Sequence, residues 1–283
     1  MESDVSYKRI LTIQDISCVG QCSLTVALPI LSVCGHETAI LPSAVLSTHT
    51  AGFKGFTFRD LTEDIEPIRS HWVSEGIRFD AVTTGYLGSR EQIALVERII
   101  QTCLKEGAPT IIDPAMADNG KLYPVFNDDY VEAMKSLVAC ADFLLPNISE
   151  AAFLTGKEYR ETYDEAYVKD LTDALHRLGA KTVVLTGVGY RPEKTGVVVS
   201  TMGEPMYYYE HRKIAQGCHG TGDVYAAAFA GAYLAGIEQN EAAKIAADFT
   251  VEAIETTQSE KNHWYGVKFE PLLGALAQKV VKR

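Results

Sequence analysis

Short runs rich in β-branched residues recur along the chain, and most are followed by a longer stretch whose apolar residues fall three or four positions apart. That alternation is the strongest constraint on the fold. Arg9–Ile13, Glu37–Leu41, Phe79–Thr84, Thr110–Asp113, Asp142–Leu145 and Lys181–Thr186 read as strands. Arg90–Glu106, Tyr130–Ala139, Tyr163–Leu178, Asp223–Ala235 and Asn240–Thr256 are the clearest helical patterns. Strand and helix in turn predict an α/β fold of three layers, with a mostly parallel central sheet covered on both faces. Gly196–Thr201 and Met206–Lys213 flank Met202-Gly203-Glu204-Pro205 and predict an antiparallel hairpin at the sheet edge. No repeat, low-complexity tract or linker divides residues 1–283, so the expectation is one domain.

Composition narrows the partners. The formal net charge of −11 repels phosphate backbones and anionic surfaces, which argues against nucleic acid and against a membrane. Six cysteines, Cys18, Cys22, Cys34, Cys103, Cys140 and Cys218, form no Cys-x-x-Cys pair and mostly sit in apolar segments, which predicts buried, reduced thiols. Met1–Lys8 is polar, with no apolar core of the signal-peptide kind, and no later run is long enough to span a bilayer. The expected setting is cytoplasmic.

In an open parallel sheet, ligands lie beyond the carboxyl ends of the strands. The unusual polar and glycine-rich segments all follow strands: Gln14–Ser23, Ser43–Phe53, Gly85–Ser89, Pro114–Asn119 and Pro146–Glu150. The most informative stretch is Gly217-Cys218-His219-Gly220-Thr221-Gly222-Asp223, which runs into the small-residue helix Val224–Ala232. Its glycines allow a tight turn that aims successive N–H groups at an anion in front of a helix N-terminus. A carboxylate at that mouth suits the removal of a proton from an attacking hydroxyl. Taken alone, Asp223 is more readily an ordinary acid that caps a helix or sits in its first turn.

Other acidic and amide groups fall at the same sheet edge. Asp113 ends a strand before Pro114, and Asp118 precedes the Asn119-Gly120 turn. Asn147 and Glu150 share a helical face at i, i+3 spacing, which also fits a capping box. Carboxylates near a triphosphate suit Mg2+, which takes few protein oxygens and keeps several waters. Thr186-Gly187 adds a hydroxyl and a free amide within reach of phosphates. No Gly-x-Gly-x-x-Gly follows the first strand and no Gly-x4-Gly-Lys-Ser/Thr occurs, which disfavours nicotinamide and Walker-type sites. The seven histidines show no zinc-ligand spacing. Tyr207, Tyr208 and Tyr209 read as strand packing.

With these residues in hand, the chain resembles the ribokinase superfamily and, within it, the pyridoxal kinases. The markers are Ile13-Gln14, Ser47-Thr48-His49-Thr50-Ala51-Gly52-Phe53, Thr84-Gly85-Tyr86-Leu87-Gly88-Ser89, the run from Asp113-Pro114 to Leu122-Tyr123, Pro146-Asn147-x-x-Glu150 and Gly220-Thr221-Gly222-Asp223, in that order. The resemblance implies that Asp223 is the catalytic base and that the amides of Gly220, Thr221 and Gly222 form an anion hole. It further implies that Asp113, Asp118, Asn147 and Glu150 place ATP and Mg2+, with Asp113, Asp118 and Glu150 meeting the metal directly or through water. Thr186, with Gly187 beside it, matches a phosphate contact, and Thr50 and Tyr86, with His49 nearby, match the pocket for the pyridine ring. A homodimer and a monovalent cation such as K+ are implied as well.

Three departures bear on the substrate. Gln14-Asp15-Ile16 stands where many pyridoxal kinases carry Gln-Ser-His, so a carboxylate replaces a hydroxyl where the ring is expected; Asp15 is a candidate partner for a protonated ring nitrogen or an amine. Leu145 stands in place of a threonine before Pro-Asn, at an expected cation contact, and Ala117 replaces a glycine. The expected activity is ATP-dependent phosphorylation of the 5′-hydroxymethyl group of pyridoxal, pyridoxamine or pyridoxine. The alternatives are a hydroxymethylpyrimidine kinase of the same fold and a non-catalytic nucleotide- or B6-binding protein. Ser43–Lys54, with Gly52, is the expected closing loop.

Overall fold

The computed structural model describes residues 7–214, 218–258 and 263–281. Nine strands form one sheet: β1 (Arg9–Ser17), β2 (Glu37–Leu46), β3 (Phe58–Asp60), β4 (Ala81–Thr84), β5 (Thr110–Ile112), β8 (Phe143–Leu144), β9 (Thr182–Val188), β10 (Lys194–Thr201) and β11 (Tyr207–Arg212). Their order across the sheet is β11-β10-β9-β8-β5-β4-β1-β2-β3. The six strands from β9 to β2 run parallel, whereas β10 and β11 extend one edge antiparallel and β3 closes the other. A separate two-stranded hairpin joins β6 (Ala117–Asp118) to β7 (Lys121–Leu122).

Alternation along the central strands explains the layers. Leu11, Ile13, Val82, Ile112 and Val183 enter one core, while Ile10, Ala81, Ile111 and Val184 enter the other. Over the first core lie α2 (Thr62–Ser74), α3 (Arg90–Cys103), α4 (Asp128–Val138), α5 (Ile148–Thr155) and α6 (Glu165–Arg177). Over the second lie α1 (Leu24–Val33), α7 (Thr221–Leu234), α8 (Gln239–Gln258) and α9 (Leu273–Val280). Ser89, Asn127 and Asp164 cap α3, α4 and α6, each accepting a first-turn N–H. Small residues let α7 pack close to α1: a side chain on Gly231 would meet the Cys34 thiol at 2.6 Å. That approach brings the first turn of α7 to the carboxyl edge of the sheet.

The alternation and the edge hairpin are as the sequence predicts, and several boundaries differ. β1 continues through Ser17 and β2 through Leu46, so the first residues of the segments Gln14–Ser23 and Ser43–Phe53 belong to strands. The two strands pair with each other along this extension, with a bulge between Gln14 and Ile16 that keeps the hydrogen bonding alive past the polar residues. β9 likewise runs to Val188, placing Thr186 and Gly187 inside a strand rather than in a turn after one. β4 begins at Ala81, and Phe79 makes only an isolated bridge to Leu104. Of the six thiols only Cys34 and Cys103 are buried, whereas Cys18 is exposed and Cys22, Cys140 and Cys218 are intermediate; all six are free. Loops, not the core, hold Cys18, Cys22 and Cys218. Among the described residues no helix is long and apolar enough to cross a membrane.

Candidate active site

The first turn of α7 begins where Gly220 adopts φ 83 and ψ 3, and no side chain caps it. Only glycine fits there, because a Cβ would collide with the carbonyl oxygen of Gln21. The N–H groups of Thr221, Gly222 and Asp223 therefore start a helix whose positive end no side chain covers. Gly222 is exposed with no neighbour where a side chain would stand, leaving room for a ligand. Asp223 lies in this turn as a first-turn acid and is not the cap. Gly217 lies outside the described residues.

Asp223 keeps part of its surface open and is otherwise ringed by protein. Burial pushes its carboxyl up to about 7, the backbone N–H of Ser23 pulls it down, and the Asp15 carboxylate pushes it up again. A carboxylate near 7 is matched to accepting a proton at neutral pH. Asp113 follows β5, and its pKa stands well above its ordinary value, through burial first and then the charges of Glu150 and Asp223. These acids thus share one electrostatic neighbourhood at the sheet edge.

Glu150 and Asn147 form a capping box at the start of α5. Asn147 Oδ1 accepts from Glu150 N at 2.9 Å, and Glu150 Oε2 accepts from Asn147 N at 2.8 Å. The other Glu150 oxygen accepts from Met116 N at 3.1 Å, and Asn147 Nδ2 donates to the Ala117 carbonyl at 2.9 Å. The pair thereby ties α5 to the segment after β5. Glu150 is buried, which raises its pKa to about 7 despite these N–H donors. Asp118 is exposed in the β6–β7 hairpin, where Asn119 (φ 49) and Gly120 (φ 72) make the turn. Thr186 bridges to Asn147 across the sheet and its N–H bonds to the Pro146 carbonyl at 2.9 Å. Gly187 is exposed beside it. Among the described residues, no three acidic, histidine or cysteine side chains converge as a ready-made metal cage. The donor set of Asp113, Asp118 and Glu150 nonetheless suits a hard cation, since burial and mutual repulsion leave two of its carboxylates short of compensating charge.

The predicted ring pocket divides. Asp15 is buried and accepts from Ser17 Oγ at 3.2 Å; burial raises its pKa against the pull of the Ser23 and Ser17 hydroxyls. Tyr86 is half-buried, with burial, then Asp15 and Asp60, pushing its hydroxyl up to about 12. Thr50 is exposed on the loop after β2. His49 is different from its neighbours, because both ring nitrogens are already used: Nδ1 accepts from Ala51 N at 3.1 Å, and Nε2 meets the Tyr265 carbonyl at 2.7 Å, which places the proton on Nε2. It is buried and works as a clasp between the loop after β2 and residues 263–266. Phe53 packs on Trp264 at 4.7 Å in the same clasp. Ser23, Gln21 and residues 263–266 are the site features that the sequence pattern missed. Gln21 bridges to Gly266 and donates from Nε2 to Glu270 at 2.9 Å, while its carbonyl presses on Gly220. Their only signal was Gln21 and Ser23 falling within the polar segment after β1.

Comparison with known proteins agrees with this fold. The sequence profile of the phosphomethylpyrimidine kinase family matches residues 41–267. A pyridoxine kinase from Bacillus subtilis is 31% identical over 198 residues, covering 68% of this chain and 70% of its own. A hydroxymethylpyrimidine/phosphomethylpyrimidine kinase from the same organism is 30% identical over 221 residues, 76% of this chain and 77% of its own. The crystal structure of pyridoxal kinase from Lactobacillus plantarum superimposes with a TM-score of 0.89 at 32% identity, over 97% of this chain and 98% of that one.

Proposed function

The chain belongs to the phosphomethylpyrimidine kinase family, and on that premise we propose that it transfers the γ-phosphoryl group of ATP to the 5′-hydroxymethyl group of a B6 vitamer, pyridoxal, pyridoxamine or pyridoxine. One observation carries the reading. A carboxyl whose pKa burial raises to about 7 stands in the first turn of α7, a helix start that no side chain caps. In that arrangement Asp223 takes the proton of the substrate hydroxyl as its oxygen bonds to the γ-phosphorus. The bond from that phosphorus to the β–γ bridging oxygen breaks, and ADP leaves. The N–H groups of Gly220, Thr221 and Gly222 hold the oxygens of the phosphoryl group in transfer. Asp113, Asp118 and Glu150 would hold Mg2+ directly or through water, and the ion when bound neutralises triphosphate charge. Thr186 and Gly187 contribute phosphate contacts, Asn147 fixes Glu150, and Asp15, Thr50 and Tyr86 face the ring. A K+-type activator, a homodimeric assembly and a cytoplasmic setting belong to the same reading.

A hydroxymethylpyrimidine offers the same primary alcohol on a related ring, and the 30% identity to a kinase for such substrates favours it as the second reading. Parallel turnover assays with the three vitamers and hydroxymethylpyrimidine, reading ADP release and product mass, test both. Turnover of the pyrimidine alone would overturn the B6 assignment. No ADP release with any of the four would point to the non-catalytic alternative.

A further inference from the structure

The pairing of β4 with β1 and β5 ends at Thr84, and buried side chains from three other elements hold the turn that follows. Ser43 Oγ of β2 donates to the Tyr86 carbonyl at 3.2 Å. Tyr130 Oη of α4 donates to the Leu87 carbonyl at 2.7 Å, and the N–H of Gly88 donates to Gln92 Oε1 of α3 at 2.7 Å. The Gln92 amide is itself fixed, because Nε2 donates to the Ser43 carbonyl at 3.0 Å and to Thr62 Oγ1 at 2.9 Å. Ser43 and Gln92 are fully buried and Tyr130 is 3% exposed, so water does not compete freely for these bonds. Three successive residues, Tyr86, Leu87 and Gly88, are therefore anchored one by one.

Tyr130 also reaches the Tyr86 side chain. Its ring stacks on Phe126 with centroids 3.8 Å and planes 13° apart, and the Tyr86 ring lies against Phe126 at 5.5 Å. Stacking alone would need only a phenylalanine at position 130; the buried hydroxyl is what ties α4 to the turn. We propose that Tyr130 is a positioning residue for substrate recognition: through the Leu87 carbonyl and through Phe126 it fixes the Tyr86 side chain against which the substrate's heteroaromatic ring packs. The inference rests on the proposed reading, in which Tyr86 faces that ring. Its effect falls on binding of the ring, because the turn carries neither Asp223 nor the amides assigned to the phosphoryl group.

Tyr130→Phe and Phe126→Leu in the full-length protein, with pyridoxal as substrate, test this. In each, KM for pyridoxal should rise about threefold to tenfold, while kcat and KM for ATP change less than about twofold. Tyr130→Phe should also lower the melting temperature, since it leaves the Leu87 carbonyl without its donor. Val168→Ala, a cavity in the buried face of α6, is the control: it should lower the melting temperature and leave KM for pyridoxal unchanged. A wild-type KM for pyridoxal in either test variant, an equal rise in KM for ATP, or the same rise in Val168→Ala would each overturn the proposal. Tyr86→Ala separates it from the underlying reading. An unchanged KM for pyridoxal there removes Tyr86 as a ring contact, whereas a raised KM beside a wild-type KM in Tyr130→Phe removes only the role of Tyr130.

Discussion

Replacing Asp223 with asparagine should make the ligand-free protein more stable while abolishing most turnover, and the size of the gain follows from the site. Burial, set against the Ser23 N–H and helped by the charge of Asp15, carries this carboxyl from 3.8 to about 7. A carboxyl whose folded pKa lies above its unfolded value stabilises nothing at high pH: the fold is favoured below the unfolded pKa and loses that advantage as pH rises to the folded one. At 1.36 kcal/mol per pH unit, the ionised group costs at most about 4 kcal/mol above pH 7, and about 2 kcal/mol of that accrues between pH 5.5 and 7. Asparagine removes the charge and keeps an oxygen for Ser23 N–H. The melting temperature of Asp223→Asn should therefore exceed that of the native chain, and the gap should widen from pH 5.5 to pH 8 by about 4 °C or more, taking roughly 2 °C per kcal/mol for a chain of this size. Paired thermal melts at the two pH values, with circular dichroism to confirm the fold, measure it. A gap that stays flat or shrinks toward pH 8 would show that Asp223 is not a destabilised carboxylate, and the argument for a base poised near neutrality would go with it.

Gly220→Ala should lower kcat by about a hundredfold and reduce the melting temperature, because φ 83 and the Gln21 carbonyl leave no place for a Cβ without moving the start of α7; steady-state kinetics and a thermal melt check it. His49→Ala should cost about 1–3 kcal/mol by orphaning the Tyr265 carbonyl and Ala51 N–H. In a Trp72→Phe background the emission of Trp264, which packs on Phe53, should shift with it. ATP with a chelator should raise the melting temperature far less than ATP with Mg2+, since triphosphate charge beside the buried carboxyls of Asp113 and Glu150 is unfavourable without a cation; differential scanning fluorimetry reads the difference, and equal shifts would refute it.

The layers were legible because the central strands are apolar on both faces and the helices between them mostly on one. Where that contrast fades, the reading fails. α1 is apolar nearly all round and carries Pro29 inside it, α2 buries Ile65 alone and contains Pro67, and β3 is three exposed residues recognisable only by pairing with β2. At the site, Asp113, Asn147, Glu150 and Asp223 could be singled out because each interrupts an apolar run just after a strand or at a helix start. The surroundings of Ser23 and His49 were not legible, since a backbone conformation defines the one and distant partners the other. A serine after a cysteine says nothing of a left-handed backbone, and a histidine beside Thr50 says nothing of the Tyr265 carbonyl 216 positions away.

Asn147 and Glu150 show why the capping and catalytic readings of such residues do not compete. Their capping box is fully formed, and a further bond from Met116 N to Glu150 pulls the segment after β5 against α5. Helix capping is therefore the means by which a buried carboxylate is kept beside Asp113. The same economy holds at Gly220, whose close approach to Gln21 is a packing fact that also leaves a helix start uncapped. Among the described residues no lysine or arginine forms an ion pair with Asp113, Glu150 or Asp223. On the proposed reading, a polyanionic donor here would meet backbone amides and the cation that accompanies it. On the same reading, placing acidic side chains beside the nucleotide would favour the metal-bound form over the free one. It also keeps Asp223 high enough in pKa to take a proton and let it go.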